Sequence, residues 1–198
     1  MADDTLFRAL AAVAVVTMIG TSIYYRHRAD REGGRVSRQE ESAVVRFGLS
    51  LSGLLGFGGL LLYFIRPSLL AWTMVPLPVE LRWTGLALAF LSALGTVWIF
   101  RNLGTNVTRT VVARDGATLV TSGPYRFVRH PLYTNGALAF MALSLVTRSW
   151  WFAACVLAAF VLLVVRTRQE EANLEARFGD AWRRYAARTG RFLPRLVM

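Results

Sequence analysis

The sequence contains no lysine, a single cysteine and two histidines. Because Cys155 has no partner in the chain, a disulfide scaffold is excluded. One cysteine with His27 and His130 is too few for a zinc or iron–sulfur cluster, so no metal site is expected. A P-loop, a Rossmann glycine fingerprint and a Gly-x-Ser-x-Gly elbow are also missing. These absences argue against P-loop NTPases, Rossmann-type enzymes and serine hydrolases.

Charged residues are scarce as well. They make up 18% of the 198 residues, against about 25% in an ordinary soluble domain. The apolar fraction is 55%, and the mean hydropathy of +0.42 is high. A disordered chain would need low hydrophobicity, and a soluble globule of this size could hardly bury so much apolar surface. The composition therefore predicts an integral, multi-pass membrane protein.

Five apolar runs are interrupted by polar segments. They are Leu6–Tyr25, Val44–Ile65, Trp83–Phe100, Leu132–Val146 and Trp150–Val165. The first three reach or approach the length needed to cross about 30 Å of hydrocarbon. The acidic start of the first run favours a transmembrane helix over a cleaved signal peptide. Only residues 147–149 separate the last two runs, which predicts a helical hairpin. The predicted fold is all-α, with five transmembrane helices.

The basic residues are distributed unevenly along the chain. All 23 are arginines, against 12 acidic residues, and the net charge is +11. Most of them fall in the loop 26–43, the segment 101–131 and the tail from Arg166 onward. Only Arg8, Arg66, Arg82 and Arg148 fall on the other side. The positive-inside rule then places the N-terminus outside and the C-terminus in the cytoplasm. The anionic partner is the bilayer rather than nucleic acid, since no nucleic-acid module is recognisable.

The chain divides into two parts. Residues 1–100 hold three transmembrane helices and the cytoplasmic loop 26–43. Residues 101–198 hold a loop, the helical hairpin 132–165 and a C-terminal segment. In that segment the spacing of Leu174, Phe178, Trp182 and Tyr185 predicts one amphipathic helix.

Small residues recur at helical spacing in the second span. Gly48, Ser52, Gly56 and Gly59 share one face of the predicted helix. Such faces allow two helices to approach closely. The partner is either another helix of the same chain or, in a homodimer, a second copy.

Chemistry-bearing residues cluster near the cytoplasmic ends of the last two spans. Pro131 suits the first turn of the fourth helix, whose start could bind an anion such as a carboxylate. On the residues alone, Tyr125, Phe127 and Tyr133 also fit an interfacial aromatic belt. Arg166 and Glu170 share a helical face. Glu170 and the adjacent Glu171 could bind an ammonium or ribose hydroxyls, or they could be solvated ends of the helix.

These segments resemble a known family. The stretch Ala117–Tyr133, the apolar hairpin and Arg166–Glu171 resemble the isoprenylcysteine carboxyl methyltransferases, whose broader group includes phospholipid methyltransferases. The tail Phe178–Ala186 and Arg191–Pro194 is similar too. The likeness covers residues 101–195, and the combination of Arg-His-Pro-x-Tyr with Glu-Glu is specific.

The resemblance implies an S-adenosylmethionine-dependent methyltransferase embedded in the membrane. It implies a cytoplasmic cofactor pocket formed by the loop before the fourth span and the C-terminal helix. The implied cofactor-binding residues are Ala117, Thr118, Leu119, Val120, Tyr125, His130, Pro131, Leu132, Tyr133 and Glu170. Arg166 matches the position that faces the methyl acceptor. Thr110 and Ala117 depart from the family pattern, which often has Gln and His there.

The methyl acceptor is not selected by the sequence. A hydrophobic or lipid-like acceptor is expected, such as the carboxylate of an isoprenylated cysteine; a phospholipid amine, a small thiol and a quinone-like lipid also fit. We expect the acceptor to arrive from the bilayer and the cofactor from the cytoplasm. Two alternatives are a membrane reductase that uses a nicotinamide cofactor and a non-catalytic membrane scaffold.

Overall fold

The computed structural model describes residues 2–33, 42–106 and 118–195, and in this part of the chain the regular structure is helical. The α-helices are α1 (Ala2–Gly33), α2 (Ala43–Ile65), α3 (Val79–Leu103), α4 (Pro131–Thr147), α5 (Trp150–Phe178) and α6 (Asp180–Arg188). Short 3₁₀ helices cover Pro67–Thr73, Gly104–Asn106 and Gly123–Arg126. The all-α prediction is therefore confirmed for the described residues.

Four helices, α1, α2, α3 and α5, are long and apolar enough to cross a membrane. The fourth predicted span is also helical, but α4 has 17 residues, which corresponds to about 25 Å. Large apolar side chains such as Leu54, Leu94 and Leu157 are exposed on the outer faces of these helices. This is the arrangement expected of a multi-pass membrane protein, whose outer surface contacts lipid.

The structure corrects two predicted boundaries and extends the helix of the fifth apolar run. The loop expected over residues 26–43 is partly helical, because α1 continues to Gly33. The fifth helix continues beyond the apolar run that ends at Val165 and reaches Phe178, so Arg166 and Glu170 lie on one continuous helix, as their predicted shared face requires. The tail is not one amphipathic helix: Gly179, at a φ of 52°, ends α5 before the separate helix α6 begins. Leu174 and Phe178 thus belong to α5, and Trp182 and Tyr185 to α6.

The helices pack around α3, α4 and α5. Helix α1 lies on α3, α3 on α4, α4 on α5, and α2 on α5. At one end of the bundle, the buried Arg82 binds Asp4 at 2.8 Å and donates to the carbonyl of Val146 at 3.2 Å. At the other end, Tyr25 stacks on Phe100 at 5.8 Å between ring centroids. Helix ends that are distant in sequence therefore meet at two opposite ends of the bundle.

The small-residue face of α2 is filled within the chain. A Cβ added to Gly48 would lie 2.6 Å from Leu162, and one added to Gly56 would lie 2.8 Å from Phe140. A Cβ on Gly59 would lie 2.8 Å from Trp151 Nε1, while Ser52 borders a cavity between α2, α4 and α5. This face serves packing inside the chain, so it is not free to form the homodimer seam that the sequence left open.

Candidate active site

The loop before α4 is anchored on the end of α3. The backbone N–H of Thr118 donates to Asn106 Oδ1 at 3.0 Å. Gly123 has a φ of 57°, and a Cβ there would lie 2.2 Å from Asn102 Oδ1, so both conformation and space favour glycine. Leu119 and Val120 are half-buried. Of the predicted cofactor-binding residues, Ala117 lies outside the described residues, as does Thr110.

The start of α4 is tied to the chain's C-terminal segment. Pro131 is the first residue of the helix, as predicted. The backbone N–H groups of Arg129 and His130 donate to the carbonyls of Gly190 at 2.8 Å and Arg191 at 3.1 Å. Thr134 Oγ1 donates to the carbonyl of Phe192 at 2.8 Å. The segment after α6 therefore forms one wall of the site.

Four side chains meet in what we call the Glu171 cluster (Arg129, His130, Glu171 and Arg191). Glu171 Oε1 accepts from Arg129 Nε at 2.9 Å and from Arg191 Nε at 3.1 Å. His130 Nε2 lies 3.1 Å from the same oxygen, and His130 is buried. Arg129 also donates to the carbonyls of Ala186 and Thr189. Glu171 is thus held by arginine and histidine side chains of the protein, so it is not the solvated helix end that the sequence left open.

Glu170, by contrast, faces a tyrosine. The Tyr133 hydroxyl donates to Glu170 Oε2 at 2.9 Å. The Tyr133 ring also stacks on His130, with centroids 5.5 Å apart and planes at 7°. Arg166, one turn before Glu170 on α5, lies within electrostatic range of Tyr133. The structure therefore gathers His130, Tyr133, Arg166 and Glu170 where the start of α4 meets the polar part of α5.

Two phenols complete this end of the bundle. The Tyr185 hydroxyl on α6 donates to the carbonyl of Tyr125 at 2.7 Å. Burial raises the pKa of the Tyr185 phenol to about 12. Burial, reinforced by the negative charge of Glu170, raises the pKa of the Tyr125 phenol well above its usual range. Both phenols are therefore neutral hydrogen-bonding groups at physiological pH.

Sequence reasoning missed the roles of Arg129, Arg191 and Tyr185. Arg129 stands in the Arg-His-Pro motif and Arg191 in the Arg-Phe-Leu-Pro tail, so the motifs did carry a signal. Their common partner was hidden because Glu171 lies 42 residues from Arg129 and 20 from Arg191 along the chain.

Apolar cavities lie on two faces of α4. One, of about 180 Å³, lies between α2, α4 and α5 and reaches Tyr133; we call it the α5-side cavity. The other, of about 510 Å³, lies among α1, α2, α3 and α4; we call it the α1-side cavity. Leu132, a predicted cofactor-binding residue, lies between them and borders both.

Three curated proteins share part of this sequence. The cobalt-zinc-cadmium resistance protein CzcN of Cupriavidus metallidurans is 40% identical over 91 residues, which cover 44% of this chain and 41% of that protein. The nickel-cobalt-cadmium resistance protein NccN of Alcaligenes xylosoxydans xylosoxydans is 35% identical over 88 residues, with the same coverage. The uncharacterized protein YpbQ of Bacillus subtilis is 30% identical over 96 residues, covering 47% of this chain and 56% of that one.

The match thus spans about half the length of these relatives.

Within residues 2–33, 42–106 and 118–195, no three His, Cys, Asp or Glu side chains come together where they could hold a metal ion.

A family model for phospholipid methyltransferases matches residues 81–181. The matched segment is about half of the chain and runs from the start of α3 into α6. It contains the loop, the α4–α5 hairpin, and Arg166, Glu170 and Glu171. The chain belongs to the phospholipid methyltransferase family.

Proposed function

We propose that this protein transfers a methyl group from S-adenosylmethionine to a hydrophobic or lipid-like acceptor, at a site facing the cytoplasm. The observation that carries the proposal is the Tyr133–Glu170 pair. Its hydroxyl and carboxylate meet at 2.9 Å beside Arg166, within the segment that matches the family. The family supports a membrane methyltransferase activity, and the positions of these side chains support the assignment of a cofactor and an acceptor side.

The proposed cofactor side consists of Thr118, Leu119, Val120, Tyr125, His130, Pro131, Leu132, Tyr133 and Glu170, with Ala117 belonging to the same set. Its chemistry fits a ligand that carries a cation and hydroxyl groups. Glu170 provides a carboxylate, and Tyr125 provides a phenol that stays protonated. His130 Nε2 is directed to Glu171, so its ring acts here by orienting Tyr133 through stacking. When bound, S-adenosylmethionine supplies an electrophilic methyl group on a sulfonium.

Arg166 is proposed to hold the acceptor. Methyl transfer is an in-line displacement, so the protein mainly has to position the two reactants. A carboxylate or thiolate needs no general base, whereas an amine must arrive neutral or lose a proton. A guanidinium binds an anionic acceptor through its fork of donors. The carboxylate of an isoprenylated cysteine satisfies these requirements, and the family also includes enzymes that act on phospholipids.

The two reactants would approach from different sides. The α5-side cavity is lined by apolar residues, including Ala137 and Phe160, and extends from between the helices to Tyr133. An apolar chain from the bilayer could follow it to the site. The loop 118–130 and the C-terminal segment lie at the polar end of the bundle, where a charged cofactor would arrive.

Binding of S-adenosylmethionine to the detergent-purified protein tests the proposal. Loss of a charge-assisted contact costs about 1.5–3 kcal/mol, so we expect Glu170→Gln to weaken binding by about tenfold or more. The matched control is Glu175→Gln on the same helix. Glu175 pairs with the exposed Arg183 at 3.4 Å and should leave binding unchanged.

The same titration separates the alternatives. Binding of reduced nicotinamide in place of S-adenosylmethionine would support the membrane reductase. A folded protein that binds neither cofactor would support the scaffold. Equal binding by the wild type and Glu170→Gln would contradict the assignment of Glu170.

A further inference from the structure

The α1-side cavity has the size of a ligand site. Its volume of about 510 Å³ falls within the range of roughly 300–1,000 Å³ typical of small-molecule pockets. Helices α1 and α2 converge at one end of the bundle, where Phe7, Leu60 and Tyr63 share a buried cluster. Toward the other end of the bundle the two helices separate, because α1 packs against α3 whereas α2 packs against α5. The space between them is the cavity, whose walls include Ile19, Phe57 and Phe140.

The cavity has a cation at its polar end. Arg26 borders it on α1, next to Ser22, and Arg26 Nε donates to the Ser22 hydroxyl at 3.1 Å. The guanidinium lies 5.8 Å from the centre of the Phe100 ring. Among the described residues that line the cavity, none is acidic. This end therefore suits an anionic group.

Two other polar lining residues, Asn135 and Thr96, are hydrogen-bonded to each other. Asn135 Nδ2 donates to Thr96 Oγ1 at 2.9 Å and to the carbonyl of Ser92 at 3.0 Å. Because these groups are satisfied across the α3–α4 interface, the remaining wall is effectively apolar. The cavity thus combines one long apolar wall with a positive charge at one end, which is the complement of an amphiphile.

We propose that the α1-side cavity binds an anionic phospholipid of the surrounding bilayer, with one acyl chain in the cavity and the phosphate at Arg26. Arg26 lies at the arginine-rich end of the bundle, where a negatively charged leaflet would place its head groups. Arg26 and the rest of α1 lie outside residues 81–181, whereas Leu132 and the other α3 and α4 residues of the cavity lie inside them, so the lipid site adjoins the proposed methyl-transfer site. A chain in the cavity would support the start of α4 behind Leu132.

Lipid binding to the purified protein, without S-adenosylmethionine, tests this site. Native mass spectrometry would compare retention of dioleoyl phosphatidylglycerol with that of dioleoyl phosphatidylcholine, which has the same chains. We expect the wild type to retain phosphatidylglycerol about tenfold more tightly and Arg26→Gln to lose this preference. The charge control is Arg28→Gln, because Arg28 pairs with Glu32 at 2.8 Å and does not border the cavity.

Substitutions at two alanines on α4 test whether the lipid chain occupies the α1-side cavity. Ala139 borders only the α1-side cavity and Ala137 only the α5-side cavity. We expect Ala139→Phe to abolish phosphatidylglycerol retention and Ala137→Phe to preserve it. Should Ala139→Phe fail to fold, Ile19→Trp on α1 fills the same space from the other wall.

If Arg26→Gln and Arg28→Gln lose the phosphatidylglycerol preference equally, the preference reflects general charge attraction and the site is overturned. The site is also overturned if a folded cavity-filling variant retains phosphatidylglycerol as well as the wild type does. Glu170→Gln should leave lipid retention unchanged, so failure of the methyl-transfer proposal is seen separately.

Discussion

At the scale of single residues, the two adjacent glutamates of α5 have different hydrogen-bond partners. Glu171 has a side chain that is 13% exposed and receives two guanidinium groups and the His130 ring. Glu170 receives the Tyr133 hydroxyl. A mostly buried carboxylate needs such partners, because desolvation of its charge would otherwise outweigh any packing gain. Glu171 therefore fastens the C-terminal segment, while Glu170 lies at the proposed cofactor side.

Removing the Glu171 carboxylate should destabilise the protein. Loss of one partner in a buried ion pair leaves the others uncompensated and costs about 3–5 kcal/mol. We expect Glu171→Ala to lower the thermal unfolding midpoint in detergent and to increase hydrogen exchange at residues 189–192. Glu175→Ala removes an exposed ion pair and should cost less than about 1 kcal/mol. Similar losses in both variants would show that the cluster does not fasten the tail.

At the scale of helices, the α3–α4 interface depends on a close approach at Gly85. A Cβ there would lie 2.6 Å from Leu145 Cβ, 2.9 Å from the Ala142 carbonyl oxygen and 3.0 Å from the Val146 backbone nitrogen. Two of these neighbours are backbone atoms, which cannot turn aside as a side-chain tip can. The absence of a side chain is what permits this contact, and the contact positions the helix that carries Tyr133.

Gly85→Ala should therefore destabilise the protein although alanine is the better helix former. Overpacking costs about 1–3 kcal/mol, against a gain of about 0.5–1 kcal/mol from replacing a helical glycine. The control is Gly53→Ala on α2, where an added Cβ meets nothing within 4 Å. We expect the unfolding midpoint to fall for Gly85→Ala and to stay or rise for Gly53→Ala. A rise in both would mean that the α3–α4 pair adjusts freely.

At the scale of the whole molecule, the arginines are divided between the two opposite ends of the helix bundle. Arg8, Arg82 and Arg148 lie near Asp4 and the connections that follow α2 and α4. Arg26, Arg129, Arg166 and Arg191 lie at the opposite end, with the proposed site. By the positive-inside rule we propose that this second end faces the cytoplasm.

Single-cysteine labelling tests this orientation. In a Cys155→Ala background, Ser68→Cys lies at the end with few arginines and Ala176→Cys on the polar part of α5, and both positions are exposed. In intact cells, a membrane-impermeant maleimide should label Ser68→Cys, and it should reach Ala176→Cys only after permeabilisation. The reverse pattern would invert the proposed topology.

Much of the helical framework was predictable because its causes are local. In lipid, backbone groups must pair within a helix, so long apolar runs give helices. Pro131 at the first turn and the short turn at residues 147–149 were likewise predictable from backbone preferences. The polar extension of α1 to Gly33 was not, because no apolar run continues through it, whereas the helical spacing of Arg166 and Glu170 already indicated that α5 continues beyond its apolar run.

By itself, then, the sequence determined the membrane class, the helical hairpin and the residues that resemble a methyltransferase. Tertiary structure decided the partner of the small-residue face on α2, the positions of the two α4 cavities and the different hydrogen-bond partners of Glu170 and Glu171. Successive residues of a helix point about 100° apart, so neighbouring glutamates meet different surroundings. The surroundings of each glutamate depend on residues that are distant in sequence. Arg129 and Arg191, for example, reach Glu171 only through the packing of α4, α6 and the tail.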